Sequence, residues 1–321
     1  MNKISEWGRN VYITTVPFEF QLELWRFRDP EKYKKLKSQE DLRKRIVKYL
    51  QQELRKQNDI EKQEVLQFLK HHALAIFNDN FSTKCIQERT VYKDAECNMN
   101  YVLHENKRLY FPREWDNTQI QEYYNGLLIE QDIDSPHRYE AVDFHVQDND
   151  AIADVGTAEG IFALTNVEKA SKIYLFECEE KWIEALQKTF EPWKEKVSII
   201  NNYVSDVNNE KCITLDTFFN DKQINFIKAD IEGAERQLLL GAKKLMTTQK
   251  NLRITICAYH QADDALVLNQ ILQEQGFNTA YSKGYMILIP PSIDLLSLTP
   301  LIDYSLAPPY LRRGVIRATK S

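Results

Sequence analysis

Asp154-Val-Gly-Thr-Ala-Glu-Gly160 decides the fold. The apolar run 151–153 precedes it and a helix-like segment, Ile161-Phe-Ala-Leu-Thr-Asn-Val167, follows. An acidic residue, two glycines four apart and a helix start make a cofactor loop on a parallel sheet. Two of the chain's nine glycines stand here. A dinucleotide fingerprint reads G-x-G-x-x-G and brings a helix N-terminus to a pyrophosphate. Here the spacing is D-x-G-x-x-x-G, with Glu159 where a phosphate would sit. A carboxylate repels a phosphate but favours a sulfonium or an amino group. The loop therefore points to S-adenosylmethionine rather than NAD or ATP. Its expected contacts are Asp154, Gly156, Thr157, Ala158, Glu159 and Gly160.

Outward from this loop the chain alternates strand and helix. Strands are expected near 151–154, 172–177, 197–204, 224–229 and 251–258. Helices are expected near 159–169, 180–190, 232–245 and 261–275. A closing hairpin, 277–281 with 285–289, turns at Ser282-Lys-Gly284. Such alternation means a doubly wound α/β sheet with its ligand at the carboxyl ends of the strands. Each strand end carries a polar group. Glu177 suits a ribose diol, with Cys178 beside it; Ser205 and Asp206 suit an adenine amino group. Asp230 and Glu232 follow the fourth strand, and Tyr259-His260 follows the fifth. His137-Arg138-Tyr139, just before the first strand, is read as folding over the cofactor or as mere linker.

Several of these residues also carry a plain structural reading. Asp230-Ile-Glu-Gly-Ala-Glu235 suits the start of a helix, since Asp is a good N-cap and early Glu complements the dipole. Thr214-Leu-Asp216 reads equally as a turn and cap. A lone His at a strand end is often structural, although Asp263-Asp264 offers carboxylates that would fix the tautomer of His260.

Together, Asp154-Val-Gly-Thr-Ala-Glu-Gly160, Phe176-Glu177, Thr214-Leu-Asp216, Ile227-Lys-Ala-Asp-Ile-Glu-Gly-Ala-Glu235 and Leu239-x-Gly241-Ala242 resemble the FkbM family of S-adenosylmethionine-dependent methyltransferases. The resemblance covers roughly residues 130–290. It implies a class I methyltransferase-like, doubly wound seven-stranded sheet in the order 3-2-1-4-5-7-6, here with a helical N-terminal extension. It also implies O-methylation, often of sugar or polyketide hydroxyls. The family's loop more often reads Gly-Ala-Asn-x-Gly and its second strand often ends Phe-Glu-Pro; here they read Gly-Thr-Ala-Glu-Gly and Phe-Glu-Cys-Glu. Ser135-Pro-His-Arg-Tyr139 and Pro309-Tyr-Leu-Arg-Arg-Gly314 are similar to a subset associated with polysaccharide biosynthesis.

A hydroxyl is a poor nucleophile at neutral pH, so a base or a metal must help. Asp230 and His260 are the candidate catalytic residues, with His260 preferred as base because imidazole titrates near neutrality. His137, Arg138, Tyr139, Glu232 and Tyr259 are candidate substrate contacts. No cluster has zinc-ligand spacing, so no metal is expected. A divalent ion on Asp230, Glu232 and His260 ranks below the imidazole base.

Domain organisation is read as a helical region 1–85, a short β/α lead-in and connector 86–143, and a methyltransferase domain with tail, 144–321. The stretch 26–56 holds 12 Lys/Arg against 5 Asp/Glu. It is either a solvated helix face or a patch for an acidic glycan, a phospholipid surface or a partner. The net charge of -5 gives nucleic acid no support. Pro308-Pro309-Tyr310 stands far from the fourth strand, where amine methylators carry such a run. Five scattered cysteines read as reduced thiols in a cytoplasmic protein. No apolar run reaches the ~18–20 residues of a membrane span. The acceptor is expected to be a small molecule or glycan. Two other readings stay open: another S-adenosylmethionine-fold or nucleotide-binding enzyme, and a non-catalytic module docking partners through its helices.

Overall fold

The structure, a computed structural model, describes Arg26 and residues 28–84, 88–287 and 308–320. The helical pattern at 19–25, Cys85 and the tail 288–307 lie outside the described residues. The chain forms two compact units, one of residues 1–78 with 287–310 and one of residues 79–286 with 311–321.

In the first unit two helices are described, α1 (Pro30–Lys56) and α2 (Ile60–His71). Asp29 and Asp59 cap them by accepting from the amides of Lys32 and Lys62, both at 3.0 Å. Leu42, Ile46 and Leu50 recur at helical spacing and are buried, as are Val65, Leu66 and Leu69 of α2. Arg43 donates to the Leu69 carbonyl, tying the helices together. The basic residues occupy the remaining face of α1, where Lys34, Lys37, Lys44 and Lys48 are exposed. No helix among the described residues is long and apolar enough to cross a membrane.

The second unit opens with a three-stranded antiparallel sheet, β1 (Tyr92–Lys93), β2 (Asn100–His104) and β3 (Lys107–Tyr110). Helix α3 (Asn117–Glu130) follows, started by a capping box between Asp116 and Gln119. Then come β4 (Ala151–Val155), α4 (Ile161–Asn166), β5 (Lys172–Phe176), α5 (Glu180–Thr189), β6 (Val197–Ile200), β7 (Tyr203–Val204) and β8 (Cys212–Ile213). They continue as α6 (Leu215–Phe218), β9 (Phe226–Ala229), α7 (Glu235–Leu240), α8 (Lys243–Thr248), β10 (Arg253–Cys257), α9 (Asp264–Glu274) and β11 (Asn278–Tyr281). The last strands are β12 (Met286–Ile287), β13 (Leu311–Arg312) and β14 (Val315–Thr319).

The main sheet runs β6-β5-β4-β9-β10-β14-β11, which is 3-2-1-4-5-7-6 by order of its strands along the chain. β14 is antiparallel to both its neighbours, and the other pairs are parallel. Side chains alternate between faces. Ile152, Ile173, Leu175 and Phe226 join one core, with α4, α5 and the lead-in. Ala153, Val155, Ile227, Ile254 and Ile256 join the other, with α7, α8 and α9. Where the order reverses, between β4 and β9, the carboxyl ends open a crevice.

Three local expectations are corrected. The antiparallel strand of the sheet is β14, not 285–289; Val315, Ile316 and Ala318 are fully buried there. The stretch 232–245 is two helices, because Gly241 ends α7 where a side chain would collide with the Ser205 carbonyl. The stretch 197–204 is broken into β6 and β7, and β7 pairs with β8 outside the main sheet.

Candidate active site

A cleft of about 470 Å³ opens at the carboxyl ends of β4, β5 and β9. Gly156 and Ala158 of the first loop, Glu177 and Cys178 after β5, and Asp230 and Glu232 after β9 all line it. Gly156 has φ +71°, and a Cβ there would collide with the Asp230 carbonyl, so the loop lies against β9 only because this residue is glycine. Gly160, at φ +85°, precedes α4 and packs on Leu186 and Phe190. Glu177 is buried, and each of its oxygens accepts one backbone N–H at 2.7 Å, Oε2 from Ala158 and Oε1 from Glu179. A carboxylate has about four acceptor positions, so lone pairs remain for a diol.

The other loop residues serve the loop itself. Thr157 is buried and its hydroxyl donates to the Asp154 carbonyl at 2.8 Å. Asp154 is fully buried beside Lys228, whose Nζ stands 3.0 Å from Oδ1. Burial pushes the Asp154 carboxyl up to about 6 against the pull of Lys228. Lys228 also donates to the Gly156 carbonyl at 2.6 Å. Glu159 does not line the cleft: it is buried and accepts from the Tyr123 hydroxyl at 2.9 Å. Ser205 and Asp206 also lie outside the lining, and their side chains bond to each other at 3.1 Å. Asn202, Tyr203 and Val204 line that end instead.

One wall is not legible in the sequence. Trp115 and Tyr123, from the lead-in, meet Trp182 of α5 with ring centroids 5.0–5.7 Å apart, and all three line the cleft. Trp and Tyr in a lead-in are the available signal, but nothing local in sequence tells them from core.

Beyond the cleft, Asp230 gathers a polar cluster. Tyr139 donates to its Oδ2 at 2.9 Å and Tyr259 to its Oδ1 at 3.2 Å. His137 Nε2 stands 3.4 Å from Oδ2, and His260 Nε2 stands 3.8 Å from Oδ1. Burial alone would raise the Asp230 carboxyl, but the hydrogen bond and charge of His137 and the charge of Lys228 outweigh it and hold the group well below the usual carboxylate range. Burial likewise disfavours charge on His137, yet Asp230 and Glu130 raise it. For His260, Glu235 and Asp230 overcome burial in the same direction.

The structure thus brings His137, Tyr139, Tyr259, His260 and Asp230 together. Arg138 turns away to the carbonyls of Glu140 and Gln131. Asp263 and Asp264 do not hold His260; both bind Arg236. Glu235 takes that place, with Oε1 3.0 Å from His260 Nδ1. Thr214 and Asp216 cap α6 and α8 and take no part in the cleft.

A doubly wound sheet in this order, with an acid after its second strand and a glycine loop after its first, is a class I methyltransferase-like fold. Residues 154–279 match the family model of the methyltransferase FkbM domain, and this match supports S-adenosylmethionine as the cofactor. No curated protein matches the chain. Among solved structures it is similar to methyltransferase FkbM from Methylobacillus flagellatus, at 15% identity and TM-score 0.42, over 64% of this chain and 55% of that one. It therefore spans about half the length of that protein. It is also similar to precorrin-6y C5,15-methyltransferase from Geobacter metallireducens, at 11% identity and TM-score 0.37, over 60% and 88% of the two chains. A third is the Streptococcus mutans protein SMU.1697c in complex with SAH, at 15% identity and TM-score 0.34, over 55% and 92%.

The residues fit the cofactor. The cleft volume lies in the range of small-molecule sites, ~300–1,000 Å³. Glu177 presents acceptors suited to ribose hydroxyls, and Val155, Phe176 and Val204 give an apolar bed for a base. Charge-assisted hydrogen bonds contribute about 1.5–3 kcal/mol each. Glu177→Ala is therefore expected to weaken S-adenosylmethionine and its demethylated product by roughly 10–100-fold in calorimetry. Unchanged affinity would remove Glu177 from the ribose site.

Glu159 gives rise to a separate stability test. Burial pushes its carboxyl up to about 7 from an ordinary value of 4.5, with the Tyr123 bond opposing. The native state then holds the proton more tightly than the unfolded chain, so stability falls as pH rises from about 4.5 to about 7. Glu159→Gln should match the parent at pH 4.5 and exceed it by roughly 1–3 kcal/mol at pH 8, since each pH unit between the folded and unfolded titrations is worth about 1.4 kcal/mol. Urea unfolding at both pH values checks this.

Proposed function

We propose that the protein is an O-methyltransferase acting on a hydroxyl of a sugar, an oligosaccharide or another polyhydroxylated small molecule. One observation carries the reading. Asp230 lines the cofactor cleft and is also the centre of the His137–Tyr139–Tyr259–His260 cluster, so one carboxylate borders both cofactor and acceptor. When bound, the cofactor supplies an electrophilic methyl group on sulfur. Glu177 would hold its ribose, and Gly156 and Ala158 would bound its depth. The acceptor hydroxyl is seated along the edge between Asp230 Oδ1 and His260. Asp230, held ionised, accepts the hydroxyl's hydrogen bond and orients its lone pair. Most of the catalytic gain in such a displacement comes from alignment and exclusion of water. The Trp115–Tyr123–Trp182 wall contributes to the second by lining one side of the cleft with rings. Donors and acceptors dominate the acceptor end, which suits a polyol better than a flat aromatic ring.

The test is methyl-labelled S-adenosylmethionine with a panel of monosaccharides, nucleotide sugars, oligosaccharides, amines and RNA. Alkali-stable ether label in a polyol supports the reading. Label confined to an amine or to RNA overturns it. Cofactor binding without transfer to any member would favour a docking module.

A further inference from the structure

His260 is caught between two carboxylates in a way a hydrogen-bonded dyad does not explain. Its Nδ1 is buried and stands 3.0 Å from Glu235 Oε1, yet it makes no hydrogen bond of good geometry among the described residues. Glu235 is fully buried, and its Oε2 is likewise unpartnered. Among the described residues its Oε1 accepts the Ile231 amide alone, at 3.1 Å. On the other side His260 Nε2 lies 3.8 Å from Asp230 Oδ1, too far for a hydrogen bond. A buried carboxylate oxygen and a buried ring nitrogen left without donors cost free energy unless something joins them.

We infer that Asp230, Glu235 and His260 form a binding site for one divalent cation at the acceptor end of the cleft. One ligand atom from each of the three lies within 4.8 Å of the others, so a single ion with bonds of ~2.0–2.3 Å gathers them by drawing the side chains slightly inward. The inference rests on the proposed acceptor site and deepens it. Two carboxylates and one imidazole suit Mn²⁺ or Zn²⁺ better than the all-oxygen shells of Ca²⁺ or Mg²⁺. Sequence spacing alone points to Glu232 as the second carboxylate. Glu232 is exposed, while Glu235, one turn further on, is buried beside the imidazole. A second trio, His137, Asp230 and Cys257, uses the same aspartate. It is closed, because His137 Nε2 already meets the Tyr259 hydroxyl at 3.1 Å. Lys228 and His137 offset part of the charge of Asp230 from behind, and Arg236 holds Asp263 and Asp264 away from the site. A bound cation takes a ring nitrogen that a base would need. His260 is then a ligand, and the acceptor hydroxyl sits on the cation's open side.

The full chain is stripped with EDTA and titrated with Mn²⁺, following the free-ion signal by electron paramagnetic resonance. One Mn²⁺ per chain is expected, with affinity lowered at least tenfold in His260→Asn and in Glu235→Gln. Calorimetric S-adenosylmethionine binding by each variant reports that it has folded. No stoichiometric Mn²⁺ binding, or binding unchanged in folded His260→Asn, overturns the site. The two readings fail separately. Methyl transfer to a polyol at full rate in EDTA, with no Mn²⁺ bound, removes the cation site and leaves O-methylation standing with His260 as base. Mn²⁺ binding lost in the variants, without transfer to any polyol, removes the acceptor class and leaves the cation site standing.

Discussion

Asp230→Asn should lower methyl transfer to the best panel acceptor by about 10²–10⁴-fold, the range seen when a positioned acid–base or charged group is lost. S-adenosylmethionine affinity should change by less than about tenfold. The asymmetry follows from what surrounds the side chain. Two tyrosine hydroxyls donate to Asp230 and two imidazoles face it, so its full negative charge is what that shell was built around. Asparagine keeps the shape but gives one oxygen and one N–H₂ group. The amide nitrogen must then face Tyr139 or Tyr259, whose hydroxyl has to turn from donor to acceptor. Asp230 stands at one edge of the cleft, whereas Glu177 and the loop at Gly156 and Ala158, which would hold the cofactor, line the rest of it. The measurement is kcat at saturating cofactor and acceptor, with calorimetry for cofactor affinity. A kcat within threefold of the parent would sink the acceptor-site reading.

The parts of the protein legible in its sequence are those whose determinants are local. The loop 154–160, the acid after β5 and the Asp-x-Glu-Gly run after β9 each lie within a few residues of a strand end, so spacing alone places them. The closing strand is not legible, for a physical reason. Tyr285-Met-Ile-Leu-Ile289 has the apolar content of a strand and sits one turn from β11, so a local hairpin looks sufficient. The sheet instead takes Val315–Thr319, more than 30 residues after β11, because loop closure costs only slowly more with length. There Arg317 also donates to the carbonyls of Arg138, Tyr139 and Glu140, fixing the connector that carries His137 and Tyr139.

The cluster around Asp230 is half legible for the same reason. Asp230, Tyr259 and His260 sit at strand ends, where spacing finds them. Sequence proximity offers Asp263 and Asp264 as partners of His260. They answer instead to α9, where Asp264 accepts the Gln261 amide at 2.6 Å, and to Arg236. Glu235 comes from α7, a helix that packs on α9, and periodicity carries no record of that packing. Ser205 and Asp206 miss the cleft by a few residues because β6 ends at Ile200 and the chain turns earlier than its apolar run suggests.

Lys228 stands within the Ile227–Glu235 run, where spacing alone assigns it no role, yet it carries the second large prediction. Lys228→Met should destabilise the fold by about 3–5 kcal/mol, the cost of leaving a buried charge without its partner. In the β4–β9 register Asp154 and Lys228 stand directly opposite, so both side chains leave the sheet on one face. Both are buried, and a lysine amid Phe226, Ile227 and Ala229 is tolerated only because it ends on Asp154 and the Gly156 carbonyl. Methionine fills nearly the same volume, so the loss is electrostatic rather than a cavity. The Asp154→Asn, Lys228→Met double variant separates the two. If the uncompensated carboxylate is the cause, the double variant recovers at least about 1 kcal/mol over the single one. The lysine also ties down the cofactor loop at Gly156. The double variant should therefore regain stability while still binding S-adenosylmethionine more weakly than the parent. Urea unfolding of the parent and the two variants and calorimetry on the folded ones decide it. A single variant within about 1 kcal/mol of the parent would mean that Asp154 takes a proton at little cost and that the pair is not what holds β4 to β9.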